Sequence, residues 1–190
     1  MLTAFITSKI IKNMNNEKIL VIDLEATCWN TPLEKSKNTS EIIEIGIALL
    51  NLKTREVEKN EGLIIKPVLS RVSPFCTELT TLTQKDVDEG MTFQEACSIL
   101  RDEYFSENMP WASYGAYDFK MMTKQSNLAN VKNPMSDMHV NVKLLHGLKK
   151  RSKQVGMERA LQSLNMNLQG THHRGVDDAY NIAHILLKLL

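Results

Sequence analysis

Residues 19 to 30 read ILVIDLEATCWN. A short, β-branched apolar run of this kind forms a buried strand, and such a strand tolerates an ionised carboxylate only where a cation or several donors replace the lost hydration. Asp23 and Glu25 nevertheless stand at its end, separated by one leucine. Side chains two apart on a strand share a face, so the two acids project together while Leu24 faces the opposite layer. Oxygen ligands paired in this way suit a hard cation, Mg²⁺ or Mn²⁺. Taken alone, the pair also describes two acids exposed where a strand leaves its sheet, because turns favour acids. Cys28, Cys76 and Cys97 form no CxxC pair, which argues against a zinc knuckle or a disulfide scaffold and suits a reducing, cytoplasmic setting.

The rest of the chain supplies layers to bury that strand. Two further strands, about residues 41–52 and 56–66, are joined by a short polar turn at Lys53 and Thr54 and read as an antiparallel hairpin. Thr83 and Thr92 are plausible N-caps for two helices, the first short, the second amphipathic through Phe93, Ala96, Cys97, Leu100 and Tyr104. A fourth strand fits PWASYG, a helix starts near Tyr117, and a fifth short strand falls in MSDMHVNV. Helices over about 141–149 and 156–163 precede a last one over 174–190. Three strands followed by alternating helices and strands predict an α/β fold with a mixed sheet.

The last helix carries a second acidic signal. Its apolar stripe runs through Ala179, Ile182, Ala183, Leu186 and Leu190. At about 100° per residue, Asp177 lies roughly 160° from the centre of that stripe and Asp178 roughly 100°. Asp177 is thus expected to face water, while Asp178 flanks the core on the first turn, where the helix dipole favours negative charge. His173 stands five residues before Asp178 in GTHHRG. An imidazole titrating near neutrality can deprotonate water, and chemistry alone does not separate it from His172. A fourth acid, Asp118 in SYGAYDFKMM, follows a strand and a glycine turn, which places it at the sheet's edge or simply as an N-terminal helix acid.

With 190 residues, 43% of them hydrophobic, the chain can bury the core of one domain, expected over residues 18–190 with an extension at 1–17. The 23 basic and 22 acidic side chains nearly cancel, so any contact with a polyanion must be local. The N-terminal residues lack a signal peptide's basic region ahead of their apolar run, and no run of about 18 apolar residues suggests a membrane span.

Together these residues resemble the DEDDh 3′-to-5′ exonucleases of the RNase H-like fold: Asp23-Leu24-Glu25 as first motif, Asp118 in YGAYDFKMM as second, His173 and Asp178 in HRGVDDA as third. DLEATCW, SPFCTELTTLTQKDVD and SYGAYD are similar to the Eri-like exoribonuclease branch, with two departures: Tyr114 where that branch more often has Trp, and Thr81 where it more often has Gly. The resemblance implies a mixed five-stranded sheet with helices on both faces. It further implies two Mg²⁺ ions, replaceable by Mn²⁺, held by Asp23, Glu25, Asp178 and Asp118, with His173 as general base and Glu25 also acting in catalysis. RNA 3′ ends are the implied partner and 5′-mononucleotides the products.

Glu25 and the backbone of Ala26 then meet the terminal nucleotide, with Thr27 beside them. Trp29, Phe75 and Tyr114 are candidates for stacking on bases or for core packing. KKRSK, residues 149–153, reads as a phosphate contact or as a solvated helix end. A proofreading-type DNA exonuclease uses the same site, and a non-catalytic nucleic-acid-binding module could keep the fold; retention of all five site residues argues for catalysis.

Overall fold

A computed structural model describes residues 17–190; the expected N-terminal extension lies outside them except for Glu17. Strand β1 (Lys18–Ala26) pairs antiparallel with β2 (Ile42–Asn51), which pairs antiparallel with β3 (Glu56–Ile64). On its other side β1 pairs parallel with β4 (Trp111–Ser113), and β4 with β5 (His139–Asn141). The sheet order is β3-β2-β1-β4-β5, so β1 lies at the centre, where strand direction changes. In α/β sheets, ligands bind beyond the carboxyl ends of strands at such a point.

Eight helices are described: α1 (Pro32–Lys37), α2 (Pro74–Thr80), α3 (Gln84–Asp88), α4 (Phe93–Asp102), α5 (Tyr117–Leu128), α6 (Val142–Lys150), α7 (Met157–Ser163) and α8 (Gly175–Leu189). The alternation along β1 assigns them to layers. Leu20, Ile22 and Leu24 pack with Phe93, Cys97 and Leu100 of α4 and Met121 and Met122 of α5. Ile19 and Val21 pack on the opposite face with α7 and α8, through Ala160, Ala179, Ile182 and Leu186. Continuing the period-two pattern, Asp23 and Glu25 fall on the α8 side.

Thr83 and Thr92 cap α3 and α4 through capping boxes with Asp86 and Glu95, as their spacing predicts. Helices α1 and α2 were not expected. Helix α1 buries no residue, so it shows no apolar period, and its signature was the Thr31–Glu34 capping box with Pro32 after the cap. Helix α2 carries a comparable start, Ser73 as cap followed by Pro74. Among the described residues, no helix is long and apolar enough to cross a membrane.

Candidate active site

The close approach of α8 to the sheet positions the site. A Cβ on Gly46 would lie 1.8 Å from the carbonyl oxygen of Gly175, and one on Gly175 would lie 3.2 Å from that of Asp23. Only two glycines let the first turn of α8 rest directly on β1 and β2. The helix start is then held by Glu44, a buried acid paired in register with Glu25. Glu44 accepts from the Gly175 N–H at 2.9 Å and from Arg174 Nε at 3.1 Å.

Asp178, three residues into α8, thereby meets the end of β1. Carboxylate oxygens of Asp23, Glu25 and Asp178 lie within 4.8 Å of one another. At the same place the β1–β2 ladder shifts register between Glu25 and Ala26, a bulge of the kind that re-aims side chains beside sites. Asp118 arrives from the other layer. Gly115 turns the chain at φ 120° after β4, and Asp118 in the first turn of α5 accepts from the Leu24 N–H at 3.1 Å, a donor that lies beyond the last β4 pairing of β1.

Asp23, Glu25, Ala26, Tyr114, Asp118, His172, His173 and Asp178 all line one cavity of about 330 Å³. Burial, then the neighbouring Asp178, pushes Glu25 up to about 9. Burial pushes Asp118 up to about 6 against the hydrogen bond from Leu24. Asp23 is raised well above the ordinary range by burial and then by Asp118; Asp178 is raised by burial, opposed by His172. Crowded carboxylates that would otherwise hold protons are what a divalent cation relieves, and an all-oxygen donor set fits a hard one. Asp118 lies outside the three-carboxylate group although it shares the cavity.

The two histidines differ. His172 Nδ1 lies 2.9 Å from Asp178 Oδ2, whereas His173 offers that oxygen its backbone N–H at 3.0 Å. Burial and the neighbouring His172 hold His173 below its usual range, which favours the neutral ring. Asp177 departs from expectation: it is half-buried, not free in water, and its Oδ2 accepts from the Thr171 N–H at 2.7 Å, fastening the loop before α8.

Three expected substrate contacts lie elsewhere. Thr27 is fully buried and its hydroxyl accepts from the Glu41 N–H at 3.0 Å, pinning the end of β1. Trp29 is 7% exposed and borders a neighbouring cavity with Lys35 and Lys124. Phe75 does not line the catalytic cavity; Leu79, one turn further along α2, does. Leu79 shows no stacking or charge pattern that would single it out in sequence. Tyr114 does line the cavity, and its hydroxyl donates to Val155 O at 2.9 Å.

Glu44 and Arg174 were also missed, although an acid inside the apolar IIEIG run carried the same signal as Asp23. Thr81, the other departure noted in sequence, caps α2 in the left-handed region at φ 65°, where glycine is favoured; its hydroxyl receives Arg174 Nη1 at 3.4 Å.

Residues 20–186 match the sequence model of a family described as Exonuclease (RNase T). The chain is 27% identical over 90% of its length to the 3′-5′ exonuclease Snipper of Drosophila melanogaster, covering 69% of that protein. It is 30% identical to human 3′-5′ exoribonuclease 1 over 90% of this chain and 52% of that one, so it spans about half the length of that relative. Among solved structures, the nuclease domain of 3′hExo, a DEDDh family member bound to rAMP, superposes with a TM-score of 0.82 at 29% identity, covering 90% of each chain. The mixed five-stranded sheet is common to both.

Proposed function

Since the chain belongs to the RNase T exonuclease family, we propose that it removes nucleotides from RNA 3′ ends by phosphodiester hydrolysis, releasing 5′-mononucleotides. The observation that carries this reading is the convergence of Asp23, Glu25 and Asp178, with Asp118 and His173, on a single cavity. Support for RNA comes from the relatives named exoribonucleases and from the related domain bound to rAMP.

In this reading Asp23, Glu25 and Asp178 would hold one Mg²⁺, and Asp23 with Asp118 would hold a second. Bound divalent cations supply a water of lowered pKa and relief for charge on the leaving oxygen. Asp118 keeps its fixed orientation through the Leu24 N–H. His173 accepts a proton from the attacking water: burial favours its neutral ring, which lines the cavity without an observed hydrogen-bond partner among the described residues. Ala26 and Tyr114 line the same cavity and are assigned to the terminal nucleotide. Trp29, Phe75 and Thr27 are not, because they lie outside it. A cytoplasmic setting accords with the three free cysteines.

The decisive experiment is a degradation series with matched RNA and DNA strands and 3′-overhang duplexes, with Mg²⁺, Mn²⁺ or chelator. Stepwise shortening of 5′-labelled RNA with release of 5′-mononucleotides, abolished by chelator and by Asp23→Asn, is expected. Faster loss of DNA overturns the RNA assignment, and undiminished turnover by Asp23→Asn overturns the site.

A further inference from the structure

Two nucleophilic side chains beside the cavity have no part in this chemistry. Cys28 follows the end of β1, is half-buried, and lines the cavity next to Ala26. Cys76 is fully buried in the first turn of α2. Cys28 packs against the cluster formed by Cys76, Ile43, Leu82 and Val87. Ser73 clamps the two residues together. Its hydroxyl donates to Cys28 O at 2.6 Å and accepts from the Cys76 N–H at 3.0 Å. Cys76 Sγ also contacts Ala26 O at 3.6 Å, so the pair sits directly behind the backbone assigned to the terminal nucleotide.

We propose that Cys28 and Cys76 form a modification site for small-molecule disulfides, with Cys28 as the cavity-facing thiol and Cys76 as the thiol that resolves the adduct. In the first exchange a sulfur–sulfur bond forms between the Cys28 thiolate and one sulfur of the reagent, whose own bond breaks to release one thiolate. In the second, the Cys76 thiolate attacks the Cys28 sulfur, closes the protein disulfide and expels the other thiolate. The cysteine pair loses two electrons, the reagent gains two, and the two cysteine protons end on the two released thiols.

The geometry gives the two stages different consequences. An adduct on Cys28 projects into the cavity and excludes the terminal nucleotide, whereas the internal disulfide empties it. Cys97, fully buried in α4 and pushed up to about 11 by burial, serves as the internal control.

The test treats the folded full chain with glutathione disulfide and follows intact mass and thiols titratable after denaturation. Of the three cysteines, wild type is expected to retain one thiol, Cys97, and no adduct. Cys76→Ala is expected to keep one glutathione on Cys28, identified by peptide mapping, and Cys28→Ser to take up none. Three free thiols in treated wild type, or modification of Cys28→Ser at the wild-type rate, overturns the proposal. Wild-type thiol counting decides the matter even where Cys76→Ala fails to fold.

The activity arm rests on the nuclease reading. Cys76→Ala is expected to lose activity in step with adduct, relative to its own reduced form, and to recover it with a thiol reductant; full activity in the adduct overturns the blocking role. Failure of the nuclease reading itself is distinguishable, because the reduced wild type is then already inactive while its thiol chemistry is unchanged.

Discussion

His172 and His173 stack their rings with centroids 4.0 Å apart, yet Asp178 engages the imidazole of one and only the backbone of the other. The pair therefore divides two tasks. In the proposed reading His172 orients a carboxylate, and His173 keeps a ring free to take a proton. His173→Ala is expected to lower kcat about 10²–10⁴-fold, the usual worth of a general base, with divalent-cation affinity retained by calorimetry. His172→Ala is expected to weaken cation affinity more than it changes the acid limb of the pH profile. Because burial and His172 lower His173 from its ordinary range, the midpoint of that limb should lie on the acid side of an ordinary imidazole's. A His173→Ala enzyme of wild-type kcat excludes the assignment.

Stability should respond to pH through the carboxylates. Glu25 rises to about 9 and Asp118 to about 6, so the native state binds protons that the unfolded chain has released. For such raised acids the stabilising contribution is complete below their ordinary range near pH 4 and is lost as pH climbs through the native values. Without divalent cation, the melting temperature is expected to fall between about pH 5 and pH 9 by these groups' contribution. Mn²⁺ or Mg²⁺ should restore most at the alkaline end, where the acids are charged and a bound cation relieves their repulsion. Differential scanning calorimetry at several pH values, with chelator and with each metal, reads this directly. A cation effect that is largest at pH 5 contradicts it.

Gly46→Ala tests how α8 is seated. Its Cβ at 1.8 Å from the Gly175 carbonyl oxygen must displace the helix start, at a cost expected to exceed the roughly 1–3 kcal/mol of ordinary overpacking. Asp178 rides on that turn, so cation affinity should fall along with stability. Glu44→Gln removes the charge that holds Arg174 and weakens the bond from the Gly175 N–H, and is expected to destabilise by about 1–3 kcal/mol, the range for hydrogen bonds to a charged group. Chemical denaturation measures both; wild-type stability in the Gly46→Ala protein would refute the close-packing account.

The basic segment at the end of α6 gives a prediction in salt. Lys149, Arg151 and Lys153 are exposed, whereas Lys150 donates to Ser163 O at 3.0 Å. The following loop reaches the cavity through Val155, which holds Tyr114, and Met157, which lines it. Neutralising Lys149, Arg151 and Lys153 together should flatten the dependence of RNA affinity on log salt by up to about 0.7 per lost phosphate contact. An unchanged slope makes the run a solvated helix end.

The residues of the site were legible where local chemistry alone marks them. Asp23 and Glu25 at the end of an apolar strand call for a cation, for several donors or for exposure to water, and helical periodicity separated Asp178 from Asp177 without contacts. The same periodicity misjudged Asp177, because the loop that folds back to offer it the Thr171 N–H is not part of the helix. Aromatic character suggested Trp29 as a stacking face or a packing residue, and the resemblance put Thr27 beside Ala26; the fold buries both side chains. Helix α1 escaped because a helix that buries nothing leaves no apolar period.

The amino-acid order by itself determined most of the segments that bury a core and marked Asp23, Glu25 and Asp178, since period and charge are local properties of the chain; Asp118 and His173 joined them through the resemblance of their motifs to a known family. Tertiary structure alone decided that three carboxylates separated by up to 155 residues (23 to 178) bring their oxygens within 4.8 Å, that Glu44 and Arg174 seat α8, and that Ser73 ties Cys28 to Cys76 behind the cavity. Those relations depend on how β1, β2, α2 and α8 pack. Packing is settled by the exclusion of volume and water among elements remote in the chain, which no short window of sequence contains.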